Sequence, residues 1–287
     1  MSRTTPGSPW CTYRSCVEYL ANLFDQGLAY RTIGVHRSAI SAYHNQIDGF
    51  NLGDHPLISK TMGGINNLRP RRPRYCIIWD VDEVLSFLRT LEENEKLSLS
   101  QLTWKVATLT ALVSIPRGAE IKLLNVNLMS KGTNKIVFFF NEPLKHDKVN
   151  KLSDSLEVFE FRAEASICPF RALSCYIDRT KPLRPEGSNG QLFIKTVKPH
   201  TPVSKATIAR WVLNVLSLSG IDISHFKGHS VRAASSSKAA SKGASIEDIL
   251  ARGNWSSEST WQNFYNHKIV GPGERFQQAL LSGQGPL

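Results

Sequence analysis

Several side chains in this sequence are spaced so that they could act together on one atom. In "GHSVRAASSSKAASKG", residues 228–243, His229 and Arg232 lie three apart, which on a helix puts their heads on one face. Two donors aimed at one spot suit an anion. The spacing recurs in "SIPRGAEIKLL", where Arg117 and Glu120 open a helix after the break made by Pro116, and the carboxylate can orient the guanidinium. Farther along, "GNWSSESTWQNFYNH" carries Tyr265 on a short polar helix ten residues after Trp255. A phenol with a pKa of about 10 is a poor nucleophile. It attacks a phosphodiester only where cations surround the phosphate and a base takes its proton, and Arg117, His229 and Arg232 are candidates to supply those cations. Taken singly, an Arg–Glu pair also serves structure, and Trp255 and Tyr265 also suit a core or an interface.

The whole chain bounds what such a site could belong to. With 287 residues it has room for two domains. Its 41% hydrophobic and 21% charged residues are those of a globular protein and exclude a disordered one. Lys and Arg outnumber Asp and Glu 35 to 24, and the net charge of +11 points to a polyanionic partner, nucleic acid or an anionic membrane. Cys11, Cys16, Cys76, Cys168 and Cys175 are odd in number and form no Cys-x-x-Cys pair, which argues against a disulfide framework or a zinc ribbon and for reduced thiols. The start "MSRTTPGSPW" has no apolar h-region, and no run approaches the roughly 18 apolar residues of a spanning helix. A soluble intracellular protein is expected.

Two other motifs compete for the same residues. Ser235-Ser-Ser-Lys238 matches the Ser-x-x-Lys of serine acyl-enzymes, yet no Lys-Thr-Gly or Ser-Asp-Asn accompanies it. His225 and His229 are four apart, but "HFKGH" lacks the glutamate of a zinc helix and no third ligand is evident.

The elements that must position these groups read as mainly α with a small antiparallel β-sheet, an α+β chain. Residues 1–68 form a helical domain, built from "WCTYRSCVEYLANLFDQG", "YRTIGVHRSAISAYHNQI" and a weaker pattern in "PLISKTMGGINNL". Then "LRPRRPRY" sets Arg69, Arg71, Arg72 and Arg74 among prolines; prolines and mutual repulsion keep such a stretch extended and exposed. Residues 69–76 are therefore a basic linker, read either as a solvated connection or as a strap across phosphates. Residues 77–287 form a second, mixed domain. Asp80 and Ser245 are its N-cap candidates, "KIVFFF" and "SLEVFEF" its strands, "QLFI" a candidate edge strand, and "SKATIARWVLNVLSLSG" a helix stopped by Gly220.

Taken in order, Arg117 with Glu120, a lysine between the two strands, His229-Ser-Val-Arg232, Trp255 and Tyr265 resemble the catalytic set of the tyrosine recombinases, the phage-integrase family. The wording of "HSVRAASSSKAASKGASIEDILARGNWSSESTWQNFY" and "SICPFRALSCYIDRTKPLR" more narrowly resembles the recombinases of eukaryotic DIRS-like retroelements. The resemblance covers nearly the whole chain and implies a helical core-binding domain that clamps DNA, joined by the linker to a catalytic domain. It implies double-stranded DNA as partner, bound at the linker by Arg69, Arg71, Arg72 and Arg74, with self-association into a dimer or tetramer on it. Arg117 and Arg232 would hold the non-bridging oxygens of the scissile phosphate in place of metal ions, His229 would assist proton transfer, and Trp255 would donate its indole N–H or pack the site. A lysine, Lys145 ahead of Lys148 and Lys151, would protonate the leaving 5′ oxygen, and Tyr265 would become a 3′-phosphotyrosine. No metal or cofactor is implied. A nuclear location is, and "RPRRPR" adds an import-like run.

Two departures stand against the family pattern. The family places its nucleophile nine residues after the histidine or tryptophan, whereas here Phe264 stands at nine and Tyr265 at ten. The segment before the linker is short for a core-binding domain, so a missing first helix is expected. The rival reading is a DNA-binding protein derived from a transposable-element recombinase that keeps the fold without the reaction.

Overall fold

Helix α5 (Leu99–Ser114) sets the frame of the larger part of the molecule because it is enclosed on nearly every side. Eleven of its side chains are buried, as expected of a helix enclosed by neighbours rather than lying on a surface. A full capping box starts it: the Ser98 hydroxyl accepts from the Gln101 N–H while the Gln101 side chain accepts from the Ser98 N–H. Pro116 ends it, since a proline disfavours the α conformation in the residue before it. Ile115 turns into the left-handed region at φ 38°, ψ 43°, a conformation a β-branched residue adopts only under constraint.

A computed structural model of the protein describes residues 12–70, 75–142, 144, 155–184, 187, 189–269 and 281. It divides into two compact units, Met1–Pro73 and Arg74–Leu287. In the first, α1 (Tyr13–Asp25), α2 (Tyr30–Tyr43) and α3 (Pro56–Leu68) enclose Leu20, Leu23, Ile33, Ile58, Met62 and Ile65. Thr12 caps α1 through the Ser15 N–H, and Gly27 reverses the chain behind it at φ +86°.

In the second unit α4 (Val81–Arg89) and α5 are followed by α6 (Gly118–Leu123), then by α7 (Pro169–Thr180), α8 (Lys205–Leu218), α9 (Ser230–Ser241), α10 (Ile246–Gly253) and α11 (Glu258–Phe264). Helices α7, α8 and α9 pack around α5. An antiparallel sheet runs in the order β2 (Met129–Lys131), β3 (Lys135–Phe139), β4 (Ser155–Phe159), with Ile136 opposite Val158 and Phe138 opposite Leu156 turned into the core. The expected small antiparallel sheet is thus present among mostly helical elements. Its third strand, β2, is too short to show alternation in the sequence. "QLFI" is not a strand: Gln191 and Ile194 make only isolated bridges, to Asn125 and Pro202. No described helix is long and apolar enough to cross a membrane.

A second pairing was not expected at all. Strand β1 (Ile77–Ile78) lies parallel to β5 (Lys268–Ile269), joining the start of this unit to the segment just after Tyr265. Beside it, the Trp79 indole donates to the Ser230 hydroxyl at 2.9 Å in a buried position, and Lys238 of α9 reaches Asp80 and Asp82 at the start of α4 at 2.9 and 2.6 Å. Tyr75, expected in the linker, belongs to the core of this unit. Replacing Ser230 by Ala leaves the Trp79 N–H buried without an acceptor, and urea unfolding should register a loss of about 1–3 kcal/mol.

Candidate active site

Helix α9 can come close to its neighbours because its inner face is made of small residues: Ala233, Ala234, Ser236 and Ser237 are all buried. Arg232 is carried inward on the same face and is only 6% exposed. A guanidinium withdrawn from water needs compensation. Here it donates from Nη1 to the carbonyl of Ile115 and from Nη2 to the carbonyl of Gly253 at 2.7 Å. The left-handed turn at Ile115 delivers the first of these acceptors, so the local strain has a visible purpose. Two rings complete the enclosure, Trp255 at 4.8 Å and Tyr265 at 5.4 Å from the guanidinium carbon. Nε has no hydrogen-bond partner among the described residues.

Burial pushes the Arg232 pKa down from the usual arginine value. The Tyr265 side chain opposes this through its charge and a hydrogen bond, the positive charge of Arg117 adds to the lowering, and Glu120 opposes it. Arg117 and Arg232, on different helices, therefore feel each other's field. Arg117 sits at the N-cap of α6, where Glu120 accepts from its backbone N–H at 2.7 Å and from Nη1 at 3.2 Å. The buried carboxylate holds both the start of the helix and the direction of the guanidinium. A pocket of about 580 Å³ opens between α6, α8 and the start of α9, lined by Pro116, Gly118, Lys205, Lys227, His229 and Arg232 among others. His229, at the N-cap of α9, is exposed to it, and its Nε2 is 3.3 Å from the Tyr75 hydroxyl.

Tyr265 is held by its main chain as well as by its ring. Its N–H donates to the Trp261 carbonyl at 2.8 Å, its carbonyl accepts from the Ser237 hydroxyl at 2.9 Å, and that hydroxyl accepts from the His267 N–H at 2.9 Å. The ring lies 4.6 Å from that of Trp255. Phe264, the residue that the family count would select, is half exposed. The chain leaves helical geometry at Tyr265, with φ −134°, so the phenol turns inward one residue later than a simple count gives.

Arg232, Trp255 and Tyr265 lie in contact, Arg117 pairs with Glu120, and His229 shares a pocket lining with Arg232. Lys145, Lys148 and Lys151, together with Arg71, Arg72 and Arg74, lie outside the described residues, as does the stretch after residue 269 apart from Leu281. Arg69 is not turned outward as a free cation. Its guanidinium donates to the carbonyls of Leu28 and Phe24 at 2.7 and 3.2 Å and stacks on the Phe24 ring at 4.2 Å, closing the end of α1. Sequence reading missed Tyr75, Trp79, Ser230, Ser237 and Gly253. Only the run of Ala and Ser in α9 signalled a closely approached helix.

No protein-family model and no curated protein matches the sequence. Solved structures do share the fold. Over 96% of this chain and 73% of the other, it is similar to the XerH site-specific recombinase bound to palindromic difH substrate in a post-cleavage complex, at 14% identity and a TM-score of 0.60. Over 98% and 88% it is similar to the Tn1549 transposon integrase in complex with transposon right end DNA, at 16% identity and 0.60. Over 93% and 84% it is similar to a lambda integrase dimer bound to a COC′ core site, at 13% identity and 0.50. The fold is that of tyrosine-recombinase catalytic domains.

Gly253 shows how tightly the group is built. A Cβ there would fall 2.1 Å from Cζ3 of Trp255, so Gly253→Ala must displace the indole or the carbonyl that Arg232 uses. A loss of about 1–3 kcal/mol is expected from overpacking, with a shift in tryptophan emission; an unchanged unfolding midpoint would contradict this packing.

Proposed function

We propose that the protein is a DNA breaking-and-rejoining enzyme of the tyrosine-recombinase type. One observation carries the reading. The Tyr265 phenol lies against a buried guanidinium that still has an N–H to give, and the field of a second arginine reaches the same place. A poor nucleophile and the cations that would make its target electrophilic are thus side by side.

In the reaction, the Tyr265 hydroxyl oxygen attacks the scissile phosphorus. A 3′-phosphotyrosine bond forms and the bond to the 5′ oxygen breaks. Arg117 and Arg232 hold the non-bridging oxygens as negative charge concentrates on them, with Glu120 keeping Arg117 aimed. His229 takes part in moving the phenolic proton, and a lysine, Lys145 by preference, returns one to the leaving 5′ oxygen. Trp255 packs the phenol. The phosphotyrosine conserves the energy of the phosphodiester, so attack by a 5′ hydroxyl reseals a strand without ATP. The +11 charge and the basic residues Arg71, Arg72 and Arg74 suit a long duplex contact, with phosphates positioning the protein. The helical unit would serve as a core-binding domain, and self-association on DNA completes the exchange of two duplexes. The sequence resemblance to DIRS-like retroelement recombinases points to integration of such an element and to the nucleus.

The second reading, a binder that has lost the reaction, is favoured by the displaced count to Tyr265. A nicked suicide DNA substrate separates the two. The parent protein should form a covalent adduct and Tyr265→Phe should form none while retaining DNA affinity. Arg117→Ala and Arg232→Ala should each slow adduct formation by about 10²–10³. A parent protein that binds DNA but yields no adduct would sink the enzymatic reading.

A further inference from the structure

Tyr75 takes no part in the reaction just proposed, yet its hydroxyl sits between two groups of the site. It accepts from the Lys227 backbone N–H at 3.3 Å and meets His229 Nε2 at 3.3 Å. The side chain is 5% exposed, and the rings of Phe226, His225, His229 and His267 lie 5.4, 5.7, 5.9 and 6.4 Å from its own. A phenol held on that many sides has little freedom to point its oxygen elsewhere.

We infer that Tyr75 is a positioning residue for His229, fixing both the plane of the imidazole and which of its nitrogens carries the proton. A phenol has one proton to give and two acceptor sites. The Lys227 N–H fills one acceptor site and, by polarising the oxygen, makes the O–H a better donor. The phenol then donates to Nε2, and the neutral imidazole keeps its proton on Nδ1. Lys205 of α8, Lys227 of the preceding loop and Arg232 of α9 line the same pocket as His229, and His225 and His267 flank the phenol.

The kinetic consequence rests on the recombinase reading; the consequence for the tautomer does not. Histidine-labelled protein, observed by ¹⁵N NMR near neutral pH, should show His229 with Nδ1 protonated and Nε2 accepting a hydrogen bond. Tyr75→Phe keeps the ring and removes the hydroxyl, and should turn that pattern into the averaged signal of a mixed tautomer. Adduct formation should fall about three- to tenfold, the worth of one hydrogen bond, with DNA affinity changed less than about twofold. Tyr75→Met, which also removes the ring, controls for packing: a merely structural role would lower the unfolding midpoint in both variants in proportion to lost volume and leave the nitrogens of His229 alone in the phenylalanine variant. Unchanged His229 signals in Tyr75→Phe overturn the inference whatever the cleavage rate. A tautomer change in a protein whose parent forms no adduct upholds it and overturns the enzymatic reading instead.

Discussion

A guanidinium can be taken out of water only if the chain builds it a polar cage, and much of the second unit is arranged to build one around Arg232. The cage needs two carbonyls at the reach of its two terminal nitrogens. One comes from Ile115, which adopts a left-handed conformation for it, and the other from Gly253, where no side chain would fit beside Trp255. It also needs faces that tolerate a cation, and Trp255 and Tyr265 provide these. Each of these residues ends or follows a helix, so the lengths of α5, α10 and α11 are tied to one buried charge. The cost of such burial is several kcal/mol for an ion without full pairing, and among the described residues the Arg232 Nε has no acceptor.

Helix α9 is where these demands meet. His229 and Arg232 stand at its start, Ser237 two turns into it holds the Tyr265 carbonyl and the His267 N–H, and Lys238 fastens it to the head of α4. Only Ala and Ser leave enough room for so many neighbours at one helix. The small residues that look featureless in the sequence are therefore what lets polar groups from remote parts of the chain converge. On the opposite side, Tyr75 and Trp79 hold the first turn at His229 and Ser230. The helix is gripped at both ends by chain that precedes it by some 150 residues and by chain that follows it.

What could be read from residues alone follows from the range of the interactions. Arg117 with Glu120, and His229 with Arg232, are neighbours along single helices, and a spacing of three reveals them. Helices with caps and glycine stops, such as α1 and α8, are equally local. Tyr265 was harder, because counting from Trp255 assumes continuous helix, and α11 ends at Phe264 so that the next residue turns inward. Tyr75, Trp79 and Gly253 left no local trace, since each acquires its meaning from a partner that the fold brings to it. The parallel pairing of β1 with β5, two residues on each side, is too short for any alternation to show. The bonds of Arg69 left no trace for a related reason: the carbonyls of Phe24 and Leu28 that accept from its guanidinium are some 40 residues away.

That same two-residue ladder bears on the order in which the molecule can form. Nearly the whole second unit lies between Ile78 and Lys268, and contacts that close so long a loop are costly to make until the intervening chain has collapsed. During synthesis β1, Arg117 and Arg232 all emerge before the segment that carries Tyr265 and β5. A growing chain thus carries both arginines long before it owns its phenol.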